Sequence, residues 1–148
     1  MPVHRETRVL PYTPEQIYNL VADVELYPEF LLWCVACRII KRDSKTSFIA
    51  ELAVGFKMVR ERFLSRVTLQ PVEAITVEYL SGPFEHLTNE WKFAPAADGT
   101  AVSFFLSFEF KSKLLQALIG VLFEEAVHCM VLAFETRARQ LYGAPAKG

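Results

Sequence analysis

Cys34 and Cys37 are the first residues whose spacing could do chemistry, because a Cys-x-x-Cys pair can exchange a disulfide or supply half a zinc site. A redox pair of that kind opens a helix, whereas these two open a run in which Val35, Cys37 and Ile39 alternate as in a strand. An offset of three puts the two thiols on opposite faces of a strand, and no second pair completes a zinc set. His86, with Glu85 and Glu90 nearby, is the candidate acid–base group. Alternation turns His86 and Glu90 away from the side of Leu87 and Trp91, toward solvent. His4 and His128 also fall on polar faces. With no Ser/His/Asp set, glycine-rich phosphate loop or carboxylate pair, the sequence argues against an enzyme: no catalytic residue, metal or catalytic cofactor is expected.

Binding chemistry has more to stand on. Lys57, Arg60, Arg62 and Arg66 form a basic row able to meet RNA phosphates. The same row could instead pair across strands with Glu51 and Glu78, and no exposed aromatics interleave with it to stack bases. Asn89 and Arg137 are polar exceptions on otherwise inward faces. Either could hydrogen-bond a ligand carbonyl in a cavity, and either could be satisfied internally. Arg137 also gains from its place near a helix C-terminus and can reach outward.

The element that must position these groups is the stretch from Ser112 to Gly143, a helix on the order of 40 Å long with Ser112 as N-cap and Gly143 as stop. Ile119, Phe123, Ala126, Val127, Met130, Phe134, Ala138 and Leu141 share one face; Glu124, Glu125, His128, Glu135, Thr136 and Arg139 share the other. Between Leu114 and Phe123 the sole polar side chain is Gln116, yet Glu124 and Glu125 interrupt the run before it could span a membrane.

Upstream, Glu6–Leu10 reads as a strand stopped by Pro11. Thr13, Pro14 and Gln16 form a capping box for a first short helix, and a second short helical turn ends near Trp33. The period then changes from 3.6 to 2. Six strands follow, with turns at Asp43-Ser44, Pro71, Ser81-Gly82-Pro83 and Asp98-Gly99. The order predicts an α+β fold: a curved antiparallel sheet of about seven strands, two short helices after the first strand, and the long helix across one face. Bulky sheet residues facing Gly120, Ala126, Ala133 and Ala138 leave two outcomes open, a ligand cavity or closed packing.

The chain has 148 residues, 52% hydrophobic, with twelve Phe and a net charge of −1, which suits one domain with a real core and gives no global pull toward nucleic acid. The opening Met1-Pro2-Val3-His4-Arg5 lacks an apolar h-region, and three cysteines are a sparse, odd set. Both point to a cytoplasmic protein.

Tyr27-Pro28-Glu29-Phe30-Leu31 with Trp33-Cys34, and Pro83-Phe84-Glu85-His86-Leu87 with Asn89, Trp91 and Phe93, resemble the coenzyme Q-binding START-like proteins of the polyketide cyclase/dehydrase superfamily. Phe108–Ser112 and Phe134–Ala138 extend the likeness, which runs from about Thr7 to Tyr142. The chain departs from the pattern at Leu32, where Pro is usual, and this bears on the shape of the tunnel mouth. The resemblance implies a helix-grip (START/Bet v 1-like) fold over residues 1–148. It implies a hydrophobic tunnel for ubiquinone or a similar polyprenyl lipid, in support of respiratory electron transport. It also brings in an alternative, since the same branch includes ribosome-association toxins. On the carrier reading Phe63, Val67, Leu87, Trp91, Phe93, Phe104 and Phe108 line the sheet side, Ile119, Phe123, Met130 and Phe134 the helix side, and Asn89 and Arg137 supply polarity. Leu114, Leu118 and Val121 project to the opposite side of the helix beside Lys111 and Lys113, so a bilayer surface, a second subunit or the segment around Tyr27–Leu32 should cover them. A peripheral place at the inner membrane follows from the first of these.

Overall fold

The computed structural model describes residues 3–31, 34–56 and 59–143, without the side chains of residues 56, 59 and 119–124. Strand β1 (Val3–Leu10) starts three residues earlier than the sequence suggested. Its inward positions are His4, Glu6 and Arg8, so no apolar alternation marks its start; pairing with β7 from Val3↔Ser107 to Leu10↔Thr100 defines it instead. Helix α1 (Pro14–Ala22) carries the expected capping box: Gln16 N–H donates to Thr13 Oγ1 at 3.2 Å, and Thr13 N–H to Gln16 Oε1 at 3.0 Å. A 3₁₀ helix over Val24–Glu29 follows and ends before the predicted boundary near Trp33, which lies outside the described residues.

The remaining strands are β2 (Cys34–Ser44), β3 (Ser47–Phe56), β4 (Val59–Gln70), β5 (Ala74–Ser81), β6 (Phe84–Ala96) and β7 (Gly99–Phe110). They form one antiparallel sheet in the order β1-β7-β6-β5-β4-β3-β2, so α1 and the 3₁₀ helix carry the chain from one edge to the other. The β2–β3 loop is Lys45-Thr46 rather than Asp43-Ser44, because Arg42 and Ser44 still pair with Phe48 and Ser47. The register of β2 shifts between Cys34 and Ala36. That bulge turns Val35 outward (55% exposed) and buries both Cys34 and Cys37, so the two thiols do not lie on opposite faces.

Helix α2 (Lys113–Tyr142) has Ser112 as its N-cap, accepting from Leu115 N–H, and Gly143 at φ +77° after its last turn. Val127, Met130, Phe134 and Ala138 are buried beneath it. Leu141, expected on this face, is exposed. Tyr142 turns inward in its place, toward α1: its hydroxyl donates to Gln16 O at 3.0 Å and its ring lies 6.0 Å from Tyr12.

The loop between β6 and β7 is Ala97-Asp98, one residue before the expected Asp98-Gly99, because Gly99 already pairs with Ala96; Gly99 abuts the end of β1. Gly99 has φ +141°, and a Cβ there would lie 2.0 Å from Leu10 O. Beside it the buried Thr100 hydroxyl donates to Tyr12 O at 2.7 Å. Gly99→Ala is therefore expected to destabilise the protein by at least ~1–3 kcal/mol in urea unfolding, through strain and the clash with β1. Gly143→Ala, with nothing within 4 Å of the new methyl, should cost less.

Candidate ligand cavity beneath the long helix

Two aromatic clusters hold α2 and the sheet apart. In the first, Phe134 of α2 packs on Trp91 (5.1 Å between ring centroids), Tyr27 (5.4 Å) and Phe30 (5.1 Å). In the second, Phe84 stacks on Phe110 at 4.7 Å and meets Phe63 edge-on at 5.2 Å. Between them lies a cavity of about 240 Å³. Its floor is the inward residues of β3 to β7, its roof Ala126, Val127, Met130 and Phe134, and Val24, Tyr27 and Leu31 close one side. The volume lies just below the usual range of ligand pockets.

Of the residues expected in the lining, Phe63, Val67, Leu87, Asn89, Trp91, Phe104, Phe108, Met130 and Phe134 are there. Phe93 is not. It is buried beyond the cavity, edge-on to Tyr18 of α1 at 6.1 Å, because α1 already covers that end of β6. Arg137 is not there either: Phe134 and Ala138 occupy the sheet-facing positions, and the guanidinium turns aside to Glu29 (2.8 Å) and the ring of Phe30 (5.3 Å). The side chains of Ile119, Phe123 and Val121 lie outside the described residues, as does Lys57. Lining residues left out of the sequence reading include Ser65, Val77 and Leu106, which continue the same strand alternation, and Tyr27 and Leu31, whose position depends on how the 3₁₀ helix folds back.

Among the described residues the wall carries no ionised side chain. Asn89 is satisfied within the protein: its amide donates to Phe105 O at 2.9 Å, and its Oδ1 accepts from Trp91 Nε1 at 3.2 Å. Tyr27 donates to Val21 O, and burial pushes its phenol far above the ordinary range. Burial also pushes the Cys34 thiol up to about 11, and burial with Cys34 and Glu25 nearby pushes Cys37 up to about 12. These thiols stay neutral and poorly nucleophilic at physiological pH. The cavity can hold a neutral apolar molecule and would reject an unpaired charge.

The opposite, outer face of the sheet carries the basic row. Arg62 and Arg38 share Glu51 at 3.4 and 3.3 Å. Arg66 pairs with Asp43 at 3.5 Å rather than with Glu78, although Glu78 is its register partner on β5. Arg60 has no ion pair among the described residues, and its guanidinium lies over Gly55. His86 is on this side too, with Nε2 3.2 Å from Ser107 Oγ. At the start of α2, Leu114 is 79% exposed and Leu118 44% exposed, with Lys111 and Lys113 exposed beside them. No described helix is long and apolar enough to cross a membrane.

Residues 10–135 match the family model described as polyketide cyclase/dehydrase and lipid transport. The chain is 40% identical over 141 residues to the ribosome association toxin RatA of Rickettsia prowazekii, covering 93% of this chain and 96% of that protein. It is 38% identical over 145 residues to the mitochondrial coenzyme Q-binding protein COQ10 homolog B of Xenopus laevis, covering 95% of this chain but 59% of that one. The solution structure of the 18 kDa protein CC1736 from Caulobacter crescentus matches with a TM-score of 0.80 at 41% identity, over 97% of this chain and 100% of that one. With its long helix laid over a seven-stranded antiparallel sheet, this chain belongs to the START-like polyketide cyclase/dehydrase and lipid transport family, in the branch that holds both coenzyme Q-binding and ribosome-association proteins.

Proposed function

We propose that the protein is a non-enzymatic carrier of a quinone-bearing polyprenyl lipid such as ubiquinone, in support of respiratory electron transport. The observation that carries this is the uncharged, aromatic-walled cavity between α2 and the sheet. The name of the Xenopus relative supports the choice of ligand. A volume of about 240 Å³ suits a ring with a short length of tail, and the rest of a polyprenyl chain would leave the cavity. Ten buried carbons at ~0.8 kcal/mol each contribute on the order of 8 kcal/mol, enough for micromolar binding before ordering costs. No polar clamp is required for that affinity.

Organic extraction of the purified protein should release a quinone or another polyprenyl lipid in near-stoichiometric amount. Stripped protein should rebind added quinone with quenching of tryptophan emission. Leu87→Lys, which places an unpaired ammonium in the wall, should weaken rebinding more than tenfold, with thermal unfolding followed in parallel to separate lost binding from lost fold. A protein that releases nothing and takes up nothing contradicts the carrier reading.

A carrier must take its cargo from a bilayer, and the exposed pair Leu114 and Leu118, flanked by Lys111 and Lys113, is suited to an anionic membrane surface. Leu114→Glu with Leu118→Glu should lower co-sedimentation with phosphatidylglycerol-containing vesicles several-fold while quinone binding in detergent is kept. Unchanged sedimentation would remove the membrane from this account. A fall in dimer content instead would assign the patch to a second subunit.

A second reading is favoured by a separate observation: the outer face presents Arg60 free of ion pairs among the described residues, beside Arg62 and Arg66, and the Rickettsia relative is named for ribosome association. On that reading the protein binds ribosomal RNA phosphates and inhibits translation. Arg60→Glu with Arg62→Glu should then abolish salt-dependent co-sedimentation with ribosomal subunits. Retained binding with an unchanged salt slope clears this face, and absence of binding by the unaltered protein ends the reading.

A further inference from the structure

Three polar side chains are buried in the described residues, and two of them have obvious employment. The Thr100 hydroxyl donates to Tyr12 O, and the Ser107 hydroxyl bonds His86 Nε2. The third, Ser65, is 5% exposed, lines the cavity between Phe63 and Val67 on β4, and its hydroxyl has no partner among the described residues. Its neighbours across the ladder do not serve it. Ala50 on β3 has no side-chain polar group, and the Tyr79 hydroxyl on β5 lies at Phe84 N–H (3.0 Å), with no bond to Ser65. A hydroxyl in an apolar cavity wall with no protein bond contributes little to packing, and an alanine or valine there would suit the wall better.

The other polar groups of the wall are at least partly committed. Tyr27 donates to Val21 O and Trp91 Nε1 donates to Asn89 Oδ1. Asn89, with one N–H given to Phe105 O and Oδ1 accepting from Trp91 Nε1, keeps one hydrogen and one lone pair, on separate atoms of a planar amide held by those two bonds. The raised thiols of Cys34 and Cys37 are weak donors. Ser65 is therefore the one hydroxyl in the described wall left free both to donate and to accept. From this, and resting on the carrier reading above, we infer that Ser65 is the polar anchor of the cavity, that it bonds a ring oxygen of the bound molecule, and that it serves both redox forms. A rotating hydroxyl donates to the carbonyl of a quinone and accepts from the hydroxyl of the corresponding quinol. A group that could only donate would favour the oxidised form. An anchor of this type lets one cavity load either form without a change of structure.

The test uses three probes with the same tail: a decyl-substituted 1,4-benzoquinone, its reduced quinol, and decylbenzene, which has no ring oxygen. Each competes with a fluorescent apolar dye on the unaltered protein, on Ser65→Ala, and on Ser65→Thr, which restores the hydroxyl. The unaltered protein should bind quinone and quinol within about threefold of each other and both more tightly than decylbenzene. Ser65→Ala should weaken quinone and quinol alike by about three- to tenfold, the worth of one net hydrogen bond, and leave decylbenzene unchanged. Ser65→Thr should recover most of that loss. If Ser65→Ala leaves all three affinities unchanged, or lowers all three together, Ser65 is not an anchor although the cavity binds. A loss for the quinone alone overturns the claim for both redox forms. If the unaltered protein binds none of the probes, the carrier reading itself fails, an outcome distinct from every other.

Discussion

Phe134 is wedged between Trp91 of β6 on one side and Tyr27 and Phe30 of the 3₁₀ segment on the other, and this four-ring contact sets the height of α2 above the sheet. Aromatic rings at centroid distances near 5 Å act as spacers as well as glue, since edge-on packing fixes both approach and angle. The C-terminal half of the helix cannot come closer without expelling one of the rings. Ala138, fully buried one turn later, shows how near the backbone comes once the spacers are passed. Toward the other end, Phe63, Phe84 and Phe110 form a second cluster against which Leu115 packs, and Phe110 N–H donates to Gln116 Oε1 at 2.8 Å. A stiff helix propped at two places over a curved sheet leaves a space between the props.

Polar interactions fasten the same frame from outside the cavity. Arg8 on β1 bonds Glu6 at 2.9 Å and reaches Glu135 on α2 at 2.8 Å; Arg137 clasps Glu29. Burial pushes the Glu6 carboxyl up, but hydrogen bonds from His4 and Arg8 outweigh it and hold the group below its ordinary value. A depressed carboxylate contributes stability at pH values above its unfolded pKa and loses it as pH falls through the folded one, so the pairing of Glu6 with His4 and Arg8 along β1 is intact at neutral pH and fails only in acid. Inside, burial keeps Tyr27, Cys34 and Cys37 neutral. The charged groups that hold the lid and the uncharged groups that line the space are thus separated, which is what a site for an apolar molecule needs.

Signals that are local in the chain were legible before the structure. The Thr13–Gln16 capping box and the Ser112 N-cap each need only a few neighbouring residues to define them, and the Asp98-Gly99 signal located the β6–β7 hairpin to within one residue. What escaped depends on partners distant in sequence. The bulge after Cys34 comes from the register of β2 on β3, and it reverses the facing expected of the two cysteines. Phe93 and Arg137 have the residue types of a lining, but α1 covers the first and the 3₁₀ helix captures the second. Asn89 was legible as an inward polar residue, though not as one whose amide is taken up by Phe105 O and Trp91 Nε1. Ser65 lies between Phe63 and Val67, both expected in the lining, but a small hydroxyl in a strand becomes informative only when its neighbours are known.

The claim on which everything else rests is that the space under α2 receives the ligand, and methyl NMR tests it most directly. With Ile, Leu and Val methyls labelled and a short-chain quinone added to stripped protein, intermolecular NOEs should connect the ligand to Leu52, Val67, Val77 and Leu87, all of which face the cavity. The exposed methyls of Val9 and Ile40 should show none. NOEs confined to exposed methyls, or none to the four cavity residues at saturating quinone, would contradict the account.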